Sequence, residues 1–208
     1  MPTASARLTG LPPVSGPDPK VLILGSFPSV ISLERGEYYA NPRNRFWLLM
    51  EALLGINAQL PYHVRTVQLK EKGIALWDVT NECEREGSDD AAIKNEVLND
   101  IPGFLRDHPS VSVIILNGKR AAHIFHSQFH DGVPGPAGSR GRPGGRRREA
   151  APPVQGGRGP SGPGEGPLWT WIPGIMIFTL PSTSPANARF GLPQLGDAWS
   201  ILKESAAK

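Results

Sequence analysis

Two short stretches hold most of the side chains that could do chemistry. The first is Ser26-Phe27-Pro28-Ser29 followed by Gly36 to Trp47, which gathers Tyr38, Tyr39, Asn41, Arg43, Asn44 and Arg45 into one loop. A tyrosine can stack on a base or sugar, and an asparagine can bond a base edge or orient a water. Asn44 stands just ahead of a helical pattern, where asparagine is also a favoured N-cap. Phe46 and Trp47 read as core. The second stretch is Leu180 to Arg189, with Ser182, Thr183, Ser184, Pro185, Asn187 and Arg189. Hydroxyls, an amide and a guanidinium in a Pro-braced loop suit phosphate contacts, which position a nucleic-acid backbone without reading its sequence. The alternative is a plain loop that leads into the last helix.

Other chemistries are missing. There is one cysteine, Cys83, so a Cys-ligated cluster or an internal disulfide cannot form. Glu82 and Glu84 flank it and disfavour a thiolate. The turn that ends the first apolar run, Gly25-Ser26-Phe27-Pro28-Ser29, matches neither GxxxxGK[ST] nor GxGxxG. His123 and His126 are the one histidine pair within the helical pattern Lys119–Phe129, and a solvent-facing helix explains them better than a metal. No apolar run approaches the roughly 18–20 residues of a membrane span. The first residues lack the basic-then-apolar order of a secretory signal. The expectation is an intracellular protein, in cytoplasm or nucleus according to its source, with no membrane partner.

The elements that must position these residues follow from hydrophobic pattern. Val21 to Leu24, Ile74 to Trp77, Val111 to Leu116 and Ile175 to Leu180 are continuous apolar runs. Such runs suit strands buried on both faces, as in a parallel sheet. Helical patterns separate them. Arg45–Leu54 closes on Gly55, and Val64–Lys72 closes on Gly73. Glu96–His108 and Lys119–Phe129 are further candidates, and a final helix follows Pro193 through Trp199 and Leu202. The alternation predicts a three-layer α/β/α sandwich with a central, mainly parallel four-stranded sheet. Ligands of such sheets sit beyond the carboxyl ends of the strands, so the four polar turns should converge on one cleft.

The two chemical blocks and the runs between them resemble the uracil-DNA glycosylase superfamily, in particular its hypoxanthine-DNA glycosylase (DNA-deoxyinosine glycosylase) branch. The matching segments are Leu22–Ser29, Tyr38–Trp47, Gly73–Val79, Cys83–Ser88, Leu116–Lys119 and Leu180–Asn187, in family order. The resemblance implies hydrolysis of the N-glycosidic bond of a deaminated base in double-stranded DNA. Related branches carry a water-orienting Asn where this chain has Phe27. In the hypoxanthine branch the later Asn takes that role, which maps to Asn44. The base must leave the stack to be cut. Phe27 and Tyr39 are then candidates to stack on it, and Asp78 and Asn117 to bond its edge or a water. Ser29, Ser182, Thr183, Ser184, Pro185, Asn187 and Arg189 are candidates for contacts with DNA. No metal and no organic cofactor is expected, and a monomer is. Alternatives are a uracil- or mismatch-specific glycosylase, or a non-catalytic damaged-DNA-binding module of the same fold.

The charge has one source. Residues 131–166 hold 12 of the 24 glycines and 7 of the 22 prolines, with six arginines against three acids. That excess equals the net charge of +3 of the whole chain, so the rest is neutral. High overall basicity is therefore no argument for nucleic acid by itself. The 208 residues read as a single domain interrupted by this segment. Little in it can be buried to offset chain entropy, so it reads as a disordered insertion. It is either a basic tether or neutral filler.

Overall fold

The computed structural model describes residues 7–85, 93–128, 170–172 and 174–206. The Gly/Pro/Arg segment 131–166 lies outside them. The chain forms β1 (Arg7–Thr9), β2 (Val21–Gly25), α1 (Val30–Arg35), α2 (Phe46–Leu54), α3 (Tyr62–Glu71), β3 (Ile74–Asp78), β4 (Thr80–Glu84) and β5 (Lys94–Leu98). Then come α4 (Ile101–Asp107), β6 (Val113–Asn117), α5 (Lys119–Gln128), β7 (Thr170–Ile172), β8 (Ile175–Leu180), α6 (Leu192–Ala198) and α7 (Ile201–Ala206).

The four apolar runs pair in parallel in the order β3-β2-β6-β8, and β7 adds an antiparallel edge. Successive side chains point to opposite faces of a strand. Val21 and Ile23 therefore face one apolar layer with Ile74, Leu76, Val113 and Ile115. Leu22 and Leu24 face the other with Ala75, Ile114, Leu116 and Ile177. On the first face lie α2, α3, α6 and α7, through Phe46, Leu49, Met50, Leu69, Leu195, Trp199 and Leu202. On the second lie α4 and α5, through Ile101, Phe104, Ala121, Ala122 and Phe125. The result is the expected α/β/α sandwich. Each fully buried Leu or Ile contributes about 1.5–3 kcal/mol. An exposed pair such as Arg7–Glu82 contributes about 0–1 kcal/mol, so the two apolar layers hold the fold.

Three details differ from the sequence reading. First, the expected helix Glu96–His108 is a strand, β5, followed by α4 from Ile101. Pro102 decides this: a helix begun at Glu96 would bury it in mid-helix, where it lacks an N–H and clashes with the preceding turn. In α4 it sits in the first turn, behind Asp100, whose carboxylate accepts from the Gly103 N–H at 2.8 Å. Second, β1, β4 and β5 form a small antiparallel sheet beside the main one, with Leu8 opposite Cys83. Thus the segment ahead of the first apolar run contributes a strand. Third, the final helix breaks into α6 and α7 at Trp199-Ser200.

Strand order also says where a ligand belongs. From β2 the chain moves to β3 on one side, and from β6 it moves to β8 on the other. The loops after β2 and β6 therefore diverge and open a crevice at this switch point.

Candidate active site

The crevice is a cleft that opens to solvent. All four parallel strand ends reach it: Gly25 to Ser29 after β2, Asp78 of β3, Asn117 of β6 and Ser182 to Ser184 after β8. Tyr38, Tyr39 and Asn44 from the loop before α2 complete the wall, with Ser32. Of the residues singled out from sequence, Pro185, Asn187 and Arg189 do not line it. Arg189 is exposed and lies over the Phe190 ring at 5.8 Å.

Asn44 occupies the mouth of α2. Its side-chain oxygen accepts from the Phe46 N–H at 3.0 Å, an Asx turn around Arg45, the residue at the N-cap position. A carbonyl oxygen has two lone pairs, and this bond uses one. Tyr39 follows the turn in a left-handed conformation, φ 58°, rare for an aromatic residue. Several contacts hold it there. Its ring stacks on Phe46 at 3.9 Å and 16°. Its hydroxyl accepts from the Asn117 amide at 3.1 Å. The peptide before it is gripped from both ends: Tyr38 N–H donates to the Tyr62 hydroxyl and Tyr38 C=O accepts from Trp47 Nε1, each at 3.1 Å. Strain of about 1–3 kcal/mol persists only where such contacts over-determine it.

Asp78 is 4% exposed, and its carboxylate lies directly over the backbone of Gly25. A Cβ at residue 25 would stand 2.3 Å from Asp78 Oδ1, so only glycine fits. Burial pushes the Tyr39 phenol well above its ordinary pKa, and the nearby Asp78 charge adds to the rise. The same two causes, in the same order, act on Tyr38. Both phenols stay protonated. Phe27 is 6% exposed and packs on Cys83 and Ile93, with the Arg85 guanidinium over its ring at 5.0 Å. Ser29 caps α1, accepting from the Ser32 N–H at 3.2 Å.

Asn117 is a bolt as well as a wall residue. Its amide nitrogen donates to Thr183 Oγ1 at 3.1 Å, and its oxygen accepts from the Thr183 N–H at 3.0 Å. Thr183 is wholly buried. Ser182 Oγ accepts from the Ser184 N–H, and Ser184 Oγ from the Ala186 N–H. Each of these two hydroxyls acts there as acceptor, which leaves its O–H to donate outward. Asn187 braces the loop from behind, donating to Ser182 C=O at 2.9 Å.

Sequence reasoning missed the residues that hold this arrangement. Ser32 takes the Ala40 N–H, Tyr62 and Trp47 grip Tyr38, and Arg45 reaches the last loop. Arg45 stood inside the first block, yet its acceptors lie more than 130 residues away, beyond any local pattern. Trp47 read as core, and its indole N–H has a second task.

Comparison with known proteins places the chain in a family. The family model described as "Uracil DNA glycosylase superfamily" matches residues 12–203. The chain belongs to that superfamily. It is a DNA repair enzyme, a monofunctional glycosylase acting on N-glycosyl bonds in DNA. A hypoxanthine DNA glycosylase of Methanosarcina acetivorans is 40% identical over 113 residues, 54% of this chain and 72% of the relative. One of Methanosarcina barkeri is 38% identical over 114 residues, with the same coverage. A G/U mismatch-specific uracil DNA glycosylase of Schizosaccharomyces pombe is 32% identical over 97 residues, 46% of this chain and 29% of the relative. The solution NMR structure of a protein from Methanosarcina acetivorans assigned to the uracil DNA glycosylases superposes with a TM-score of 0.68 at 26% identity. That likeness covers 96% of this chain and 99% of the other. No helix among the described residues is long and apolar enough to cross a membrane.

Proposed function

We propose that this glycosylase removes a deaminated base, hypoxanthine of deoxyinosine first, from double-stranded DNA inside the cell, and that it works as a monomer. The names of the two Methanosarcina relatives support the choice of base. One observation carries the mechanism. Asn44 lines the cleft at the ends of all four parallel strands, and its bond from the Phe46 N–H leaves one lone pair of the side-chain oxygen.

The target nucleotide leaves the stack and enters the cleft, because the bond to be cut is inaccessible within the duplex. Phe27 and Tyr39 bound the base on its faces. Asn44 Oδ1 accepts a hydrogen bond from a water and aims its oxygen at the sugar. As the bond breaks, positive charge grows on the sugar and negative charge on the base. Asp78, a buried carboxylate at the cleft floor, favours the first, and oriented N–H and O–H dipoles favour the second. The water oxygen bonds to the sugar carbon as the carbon–nitrogen bond breaks, the base leaves with that electron pair, and the proton shed by the water reaches the departed base through solvent, which leaves an abasic site. No covalent enzyme intermediate forms, and the route uses neither metal nor organic cofactor. Ser182 and Ser184, with O–H groups free to donate, grip flanking phosphates. The buried Thr183 anchors them, with Pro185 and Asn187 behind the turn. Ser29 and Arg189 add contacts at the rim.

The test is direct. Duplexes carrying deoxyinosine, deoxyuridine or deoxyxanthosine are incubated with the protein, and abasic sites are cleaved with alkali. Strand breaks at deoxyinosine are expected. Breaks at deoxyuridine alone would move the assignment toward the activity named for the Schizosaccharomyces relative. Breaks at none would contradict the proposal.

A further inference from the structure

We infer that Arg45 is the positioning residue that locks the Ser182–Phe190 loop against the Asn44 end of the cleft; this rests on the proposed roles of Asn44 and that loop. The guanidinium donates to three main-chain carbonyls of one short segment. Nη2 reaches Ser184 O and Asn187 O, each at 2.8 Å, and Nη1 reaches Phe190 O. The backbone N–H of the same residue donates to Thr183 O at 3.1 Å. One residue thus stitches the loop from its buried start to its end. It is bonded in chain to Asn44, whose side chain accepts from the first N–H of the helix that Arg45 opens.

The chemistry favours a clamp over a simple phosphate contact. A planar fork of donors matches several carbonyls at once, which a lysine ammonium cannot do. Carbonyls lacking a ladder partner in an irregular loop need donors of this kind. Among the described residues no carboxylate lies within ion-pair distance of Arg45. Its charge is held by dipoles and stays part of the field that DNA meets. The loop then has two anchors: Asn117 on Thr183 inside, and Arg45 on residues 184–190 outside. With both in place, phosphate grip and attacking water keep a fixed separation.

Arg45→Lys separates clamp from charge, and Arg45→Gln is the second variant, with a planar amide and no charge. For each, we would measure single-turnover hypoxanthine release at saturating protein, affinity for the deoxyinosine duplex, and amide hydrogen exchange of the free protein. Misplacement by about 1 Å can cost about 100-fold, so Arg45→Lys should release base about 10–100-fold more slowly. Its DNA affinity should stay within about threefold, which puts the loss in the chemical step. Exchange should quicken at residues 183–190 and stay unchanged in β2, β3 and β6. Arg45→Gln should show the same local exchange, and the salt slope of its binding should change by less than about one, because the guanidinium is engaged by carbonyls and not by a phosphate. Wild-type rates in Arg45→Lys, or unchanged exchange in the loop, would overturn the inference. So would global unfolding of both variants, which would make Arg45 a fold residue. Should wild-type protein leave deoxyinosine intact, the substrate assignment fails instead, and the exchange measurement, which needs no DNA, still decides the clamp.

Discussion

The side-chain oxygen of Asn44 takes the Phe46 N–H at the start of α2, and the same oxygen is the one proposed to hold the attacking water. Serine separates the two tasks, because its hydroxyl can also accept from the backbone N–H two residues on. Asn44→Ser should therefore unfold within about 0.5 kcal/mol of wild type in urea. Asn117 presents the opposite case, a wall residue whose amide is fully engaged. Asn117→Ala leaves the buried Thr183 N–H without its acceptor, and should cost about 1–3 kcal/mol in the same measurement. Residue types were readable from sequence here, since Asn, Tyr and Ser beside strand ends announce a polar site. Their commitments were not. That Asn117 pairs with Thr183, 66 residues on, depends on β6 and β8 being neighbours.

Among the elements, the loops after β6 and β8 meet at Gly118. Its φ is 105°, and a Cβ there would stand 2.7 Å from the Ser182 side chain. Gly118→Ala should destabilise the protein by about 2–3 kcal/mol and push the last loop away from Asn117. A drop in melting temperature together with weaker base release would register both effects. The four parallel strands were legible because their apolar runs are unbroken. The small sheet was hidden because β5, Lys94 to Leu98, is mostly exposed and carries little hydrophobic pattern. Its pairing depends on β4 and not on its own residues. The start of α4 was readable from Asp100 and Pro102, and the longer helix expected there gave those two residues too little weight.

Across the whole molecule, two phenols buried neutral tie stability to alkaline pH. Tyr38 and Tyr39 have raised pKa values in the folded state, so above about pH 10 the unfolded chain loses protons that the fold keeps. Their contribution is complete below pH 10 and is lost as pH rises toward the folded values. Unfolding free energy should fall above pH 10 by up to about 1.4 kcal/mol per pH unit for each tyrosine. Tyr38→Phe should remove one such increment from a urea titration at several pH values. The segment 131–166 enters at this scale too. Between α5 and β7 it can be deleted without touching the strand ends, and the rate at saturating DNA should be unchanged. Any loss of affinity should be confined to low salt, where basic tethers act. Loss of folding would contradict its reading as an insertion. Overall architecture was legible because strand–helix alternation dictates the layers, and with them the end of the sheet where a cleft must lie. In the proposed reaction this cleft cuts the glycosidic bond with water held by Asn44. The decisive measurement is single-turnover release of hypoxanthine from one deoxyinosine duplex, by wild type and Asn44→Ser at matched folding stability. An abasic site is expected with wild type and none above background with the variant; equal release by both would remove Asn44 from the reaction.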